Sequence, residues 1–174
     1  MHLTPVMQRY VLHWGEMGTR WGVNRSVAQI HALLYLAGRP MNAEEIAETL
    51  TIARSNVSNS LKELLGWSLV KLVHLPGDRR DHFDAKDDPW DMLTLIVEGR
   101  KKREIDPTLE MLRACVAEAE ADGATPPEVK ARLKEMAGFM GRLDRWYEQM
   151  RQVPRPVLVK LVGLGARIVG LLGK

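Results

Sequence analysis

One stretch of this chain carries a convincing β pattern, inside a sequence that otherwise reads as helix. Leu69–Leu75 is rich in Leu and Val with Lys71 and His74 interspersed, and is too short for a helix of typical length. Pro76, Gly77 and Asp78 supply turn chemistry. His82–Ala85 is expected to return as the second strand of a hairpin, bounded by the acidic stretch Asp84, Asp87 and Asp88.

What precedes the hairpin is punctuated into helices. Thr4 and Pro5 make an N-cap followed by proline at the first helical position. Val6, Met7, Tyr10, Val11, Trp14, Met17 and Trp21 recur at three- and four-residue spacing and predict one apolar helix face. Gly15 and Gly18 should weaken that helix. Asn24 can cap a second helix, carrying Val27, Ile30, Leu33, Leu34 and Ala37 and ending at Gly38-Arg39-Pro40. Asn42 followed by Glu45 is a capping box, in which each side chain satisfies an orphan amide of the other. The short helix behind it presents Ile46, Ala47 and Leu50. After the turn Thr51-Ile52-Ala53, a further helix shows Val57, Leu61, Leu64 and Leu65 and ends near Gly66-Trp67.

From Asp88 onward the pattern is helical throughout. Asp88-Pro89 is a start signal, and Asp106-Pro107 repeats it, predicting a kink or a new helix. Leu109, Leu112, Val116 and Ala119 form a seam of near-heptad spacing. Residues 122–127 are a loop. Val129, Leu133, Met136, Met140, Leu143, Trp146 or Tyr147, and Met150 make a second long stripe, stopped by Pro154. Long amphipathic helices of this kind pair with each other or with a partner chain. Residues 157–174 then repeat with a period of seven, with Lys160, Arg167 and Lys174 on one stripe among apolar residues and glycines.

Two short helices joined by a tight turn and followed by a hairpin give the order of a winged helix-turn-helix. The second helix of the pair would be the reading element. Arg54, Ser55, Asn56, Ser58, Asn59 and Lys62 lie off its Val57/Leu61/Leu64 stripe. These side chains are rich in donors, and none is acidic. Asn suits adenine and Arg suits guanine, while Ser and Lys suit phosphates or either base. A face shaped only for solubility would more often mix Glu with Lys. At the hairpin tip, Arg79 and Arg80 follow Asp78, which can orient one guanidinium. Arginine there suits a narrow minor groove.

The segments Leu50–Leu61, Gly66–Val70 and Pro76–Arg80 together resemble the MarR superfamily of winged-helix regulators. Trp14–Arg25 and His82–Trp90 resemble its GbsR-type branch in particular. The resemblance runs through roughly the first half of the chain. It implies a homodimer on a palindromic operator in double-stranded DNA, with Thr51, Arg54, Ser55, Asn56, Ser58, Asn59, Lys62, Arg79 and Arg80 at the duplex. It also implies pairing through the terminal helices. One departure stands out: Ala53 occupies the place of the usual Ser or Thr cap of the recognition helix, and Ala cannot cap. Thr51 or water is then left to serve.

The fold expected is therefore mainly α with a small β-hairpin wing: a winged helix-turn-helix plus a helical dimerisation region. Residues 1–24 are expected as an N-terminal dimerisation helix and 25–87 as the DNA-binding domain. Residues 88–153 are expected as long dimerisation helices, and 154–174 as an apolar C-terminal helix with a basic stripe. Trp14, Trp21, Tyr35 and Trp90 form a loose aromatic set. Members of the GbsR-type branch are linked to choline and glycine betaine, and aromatic faces suit a quaternary ammonium effector. Ordinary core and interface packing is the weightier reading of that set.

Composition decides less than placement. The formal charge is +3 and the pI about 9.1. Between Arg25 and Lys86 eight basic residues face seven acids. Arg151, Arg155, Lys160, Arg167 and Lys174, by contrast, face no acid. The tail suits burial in a dimer interface best; anionic lipid is the alternative, and a membrane span is not expected. A single cysteine, Cys115, rules out a disulfide framework and multi-cysteine metal sites, and packs best as a core thiol. His74, Asp81, His82, Asp84, Asp87 and Asp88 match no metal-site spacing, so neither metal nor cofactor is expected. No nucleophile elbow, P-loop or dinucleotide fingerprint is present, and a non-enzyme is expected. Met1–Arg9 has no basic region leading into an apolar run, so a cytoplasmic chain is expected. The competing functions are a winged-helix protein–protein module and a membrane-peripheral adaptor using the C-terminal helix.

Overall fold

The computed structural model describes residues 1–165 and 167. They form two compact units, residues 1–102 and residues 103 onward. The first holds α1 (Pro5–Arg20), α2 (Arg25–Ala37), β1 (Met41–Asn42), α3 (Ala43–Leu50), α4 (Arg54–Gly66), β2 (Val70–Val73), β3 (His82–Ala85) and α5 (Pro89–Arg100). A π-helical turn, Lys101–Ile105, leads into α6 (Asp106–Ala121), α7 (Pro127–Arg151) and α8 (Arg155–Leu164). The fold is mainly α with a small antiparallel sheet, as expected.

The caps follow the local chemistry. The Thr4 and Asn24 side chains accept the amides of Met7 and Ser26. Asn42 Oδ1 accepts the Glu44 and Glu45 amides, each at 3.0 Å, and Glu45 Oε2 accepts the Asn42 amide at 3.0 Å. Asp88 Oδ1 takes the Trp90 amide at 2.8 Å, with Pro89 at the first helical position. Asp106 does not act as a cap: the residue before it, Ile105, is already helical, so the second start signal falls where a π turn passes into α6.

Three expectations need correction. The hairpin is part of a three-stranded sheet in the order β1-β3-β2, with Met41 opposite Phe83 and Leu72 opposite Phe83 on the other side. The seven-residue apolar face of α1 packs only in part, with Met7 against the core and Tyr10 and Met17 half-buried. Val11, Gly15 and Gly18 are buried, whereas Val6 and Trp21 are 65% and 54% exposed. A Cβ on Gly18 would stand 2.5 Å from the Ala28 Cβ, so the glycines let α1 lie close on α2. Leu65 lies at the edge of the apolar stripe of α4 and is exposed; the buried row is Val57, Ser60, Leu61 and Leu64.

The core of the first unit gathers Ile30, Leu33 and Leu34 of α2, Met41, Ile46 of α3, Val57, Leu61 and Leu64 of α4, Val70 and Phe83. It fixes α4 against α2 and α3 with its polar face outward. In the second unit α6 packs on α7. Leu109, Leu112 and Ala119 of the predicted seam are buried there, with Val116 half-buried. The α7 stripe divides in two. Gly141 is buried with Leu133, Met140 and Tyr147 half-buried beside it, while Met136, Phe139, Leu143 and Trp146 are exposed. Among the described residues, no helix is long and apolar enough to cross a membrane. Lys160 lies on α8; Lys174, the last residue of the predicted basic stripe, lies outside the described residues.

Candidate nucleic-acid interface

The turn before α4 is built from backbone strain and an unfilled cap. Thr51 closes α3 in the left-handed conformation at φ 54°, an unusual place for a β-branched residue. Its amide bonds back to Ala47 and Glu48, so Thr51 ends α3 and does not cap α4. Ala53 holds the N-cap position of α4 in an extended conformation with no side-chain bond. The first-turn amides of α4 are thus left for solvent or for an anion.

Arg54, Ser55, Asn56, Ser58, Asn59 and Lys62 are all exposed on α4, and Thr51, Arg79 and Arg80 are exposed beside it and on the β2–β3 loop. A groove between α3, α4 and the wing brings Arg54, Ser58, Lys62 and Arg80 together, with Leu65, Leu72 and Phe83 also lining it. Asn56 turns the other way: its Nδ2 donates to Ser26 Oγ of α2 at 2.8 Å. Thr51, Ser55, Asn56, Asn59 and Arg79 do not line this groove.

The wing is held by one arginine. Arg80 Nε donates to Asp78 Oδ1 at 2.9 Å, Nη2 to Asp78 Oδ2 at 2.6 Å, and the Arg80 amide to Asp78 Oδ1 at 3.0 Å. These bonds hold the Asp78 carboxyl well below the usual carboxylate range. The buried His82 ring lies under them, its Nδ1 3.0 Å from the Arg80 carbonyl and its Nε2 3.6 Å from Asp78 Oδ2. His82 therefore belongs to the base of the wing.

A residue absent from the predicted site joins helix and wing. Glu44 Oε1 accepts from Arg54 Nη1 at 2.7 Å, and its Oε2 accepts from Arg80 Nη1 at 3.4 Å. The neighbouring Glu45 serves the cap instead. Burial alone would raise its carboxyl, but the Asn42 amide and the Arg39 guanidinium at 3.1 Å outweigh that and hold it low. No local signal marks Glu44, which lies 10 residues from Arg54 and 36 from Arg80 in sequence.

Residues 21–81, which contain Glu44, the α4 donors and both wing arginines but stop short of His82 and Phe83, match the family model described as MarR family. The segment is similar to the MarR family, and its fold is a winged helix-turn-helix. A solved structure described as a transcriptional regulator shares the fold at TM-score 0.66 and 18% identity, covering 84% of this chain and 95% of that one. RV1404 from Mycobacterium tuberculosis aligns at TM-score 0.39 and 19% identity, over 70% of this chain and 88% of that one. A point mutant of S. aureus MepR bound to an oligodeoxyribonucleotide aligns at TM-score 0.39 and 15% identity, over 79% and 89%. No curated protein matches the sequence.

The predicted aromatic set is only partly assembled. Trp14 stacks on Tyr10 with ring centroids 5.5 Å apart. Burial raises the Tyr10 hydroxyl, and the neighbouring Tyr35 adds to the rise; Tyr10 lies outside the predicted set. Trp21 caps α1 and its carbonyl accepts from the Arg100 guanidinium. Trp90 sits half-buried in the first turn of α5. Among the described residues no ring contact joins Trp21 or Trp90 to the others.

Proposed function

We propose that this chain is a homodimeric, sequence-specific, DNA-binding transcriptional regulator of the GbsR-type branch, acting in the cytoplasm. One observation carries the reading. The exposed face of α4 is made of donors, and three of them, Arg54, Ser58 and Lys62, share a groove with the wing guanidinium of Arg80. Donor side chains on a rigid helix beside a basic wing are what base edges and phosphates require. The MarR-family match over residues 21–81 supports it.

In this mechanism α4 enters the major groove. Arg54, Asn56, Asn59 and Lys62 meet base edges or phosphates, while Thr51, Ser55 and Ser58 position the helix. Arg79 and Arg80 reach the flanking minor groove. A second copy places its own α4 one helical turn along the duplex. Exposed apolar residues on α1 (Val6, Leu12) and α5 (Leu93, Val97) in the first unit, and separately on α7 (Met136, Phe139, Leu143, Trp146) in the second, supply surfaces for pairing. A quaternary ammonium effector at Trp14, Trp21, Tyr35 and Trp90 would act by binding one spacing of the two α4 helices better than the other.

Selection of bound duplexes from a random DNA pool by the full chain tests this directly. A palindromic consensus is expected. Recovery of no enriched sequence would count against the reading. Choline titration followed by tryptophan fluorescence checks the effector: no saturable change at millimolar choline leaves the four rings to ordinary packing.

A further inference from the structure

Glu44 sits where no other acid of the helix-turn-helix does. It is on the second residue of α3, and its two oxygens hold one guanidinium from the recognition helix and one from the wing. Arg80 is further occupied by Asp78 along its Nε–Nη2 edge. Arg54, Arg80, Glu44 and Asp78 thus form a neutral quartet at the mouth of the groove. In the free protein, both arginines that would meet phosphates from this groove already have carboxylate partners.

We propose that Glu44 sets the specificity of the DNA site by competing with phosphate for Arg54 and Arg80 together. The inference rests on the DNA-binding reading of that groove. A phosphate oxygen at Arg54 or Arg80 either displaces the Glu44 hydrogen bond, 2.7 Å to Arg54 and 3.4 Å to Arg80, or sits beside the carboxylate charge; both remove part of the sequence-independent attraction. A duplex that seats both the helix and the wing releases both arginines at once and gains base contacts besides. One that seats neither arm well leaves the arginines with Glu44. The carboxylate therefore subtracts more from non-specific binding than from specific binding, and it couples the two arms.

The capping box of α3 uses Asn42 and Glu45, so Glu44→Gln removes the charge without removing the cap. Glu48→Gln is the matched control: it deletes the same charge one turn along α3, from an exposed residue that contacts neither arginine. Circular dichroism confirms that each variant is folded. Fluorescence anisotropy is then read across a salt series on two duplexes, the one enriched from a random pool and a scramble of equal length and composition. Glu44→Gln is expected to bind the scramble roughly threefold tighter or more, with a salt slope steeper by about one. It should gain less on the enriched duplex, so the ratio between the two falls, while Glu48→Gln keeps the wild-type ratio. The proposal is overturned if Glu44→Gln matches wild type on both duplexes, weakens both, or is matched by Glu48→Gln. If wild type itself binds neither duplex, the DNA-binding reading falls and takes the proposal with it.

Discussion

Gly18 of α1 lies so close to Ala28 of α2 that a side-chain carbon at position 18 would stand 2.5 Å from the Ala28 Cβ. Nothing at that contact can yield, because the Ala28 Cβ is fixed to its backbone. At Gly15 the nearest atom, at 2.6 Å, is Cγ of Gln29, part of a flexible side chain. Alanine improves helix propensity by about 1 kcal/mol at either site. Overpacking at Gly18 costs roughly 1–3 kcal/mol. Gly18→Ala is therefore expected to destabilise the chain, and Gly15→Ala to be near neutral, by urea denaturation. Equal effects would show that α1 and α2 do not meet through Gly18.

The unfilled cap at Ala53 invites the opposite change. Its backbone is extended at φ −62°, ψ 139°, the geometry of an N-cap, yet no side chain accepts an amide of α4. Ala53→Ser supplies the acceptor and should add about 0.5–2 kcal/mol of stability, read as a rise in melting temperature. Asn42→Ala is its mirror: it deletes an acceptor that two amides share and should lose a similar amount. A melting temperature left unmoved by Ala53→Ser would mean that the α4 amides are already satisfied.

These cases show which parts of the fold sequence reasoning reaches. The caps at Thr4, Asn24, Asn42 and Asp88 were legible because each bonds to an amide two or three residues away. Strand β1 was not, since two residues carry no period and Met41 becomes a strand only by pairing with Phe83. Gly15 and Gly18 were legible as weak helix formers but not as a contact surface, because closeness to α2 is tertiary. The α7 stripe merged a half-buried row with an exposed one. The exposed donors of α4 were visible from their period, whereas Glu44 was hidden because its partners come from α4 and the wing.

His31 gives the first unit a pH dependence. It is buried in α2, and its Nε2 has no hydrogen-bond partner among the described residues. Burial pushes its pKa down to about 4, from 6.5 in a free chain. The unfolded chain therefore binds the proton first as pH falls. The stabilising effect of a neutral His31 is complete above pH 6.5 and is lost progressively toward pH 4, by up to about 3 kcal/mol. His31→Leu removes the group, so its unfolding free energy should vary less with pH between 6.5 and 4 than that of wild type. Parallel pH profiles would place the acid sensitivity elsewhere.

On the reading face, contact type separates the expected effects. Asn59→Ala should lose roughly 1–3 kcal/mol and relax preference at one base pair. Lys62→Ala should weaken enriched and scrambled duplexes alike and flatten the salt slope by about one.

The two wing arginines should differ for a reason the geometry supplies. Arg79 has no ion pair among the described residues, so Arg79→Ala removes one cation and nothing else. Arg80→Ala removes a cation and also leaves the Asp78 carboxylate, which Arg80 now covers with three hydrogen bonds to its side chain, uncompensated on the loop proposed to meet the duplex. Like charge at the phosphate backbone then adds to the lost contact. Arg80→Ala is accordingly expected to weaken binding more than Arg79→Ala by fluorescence anisotropy, and Asp78→Ala in the Arg80→Ala background should recover part of the loss. If Asp78→Ala deepens the loss instead, the carboxylate serves the wing in some way other than holding Arg80.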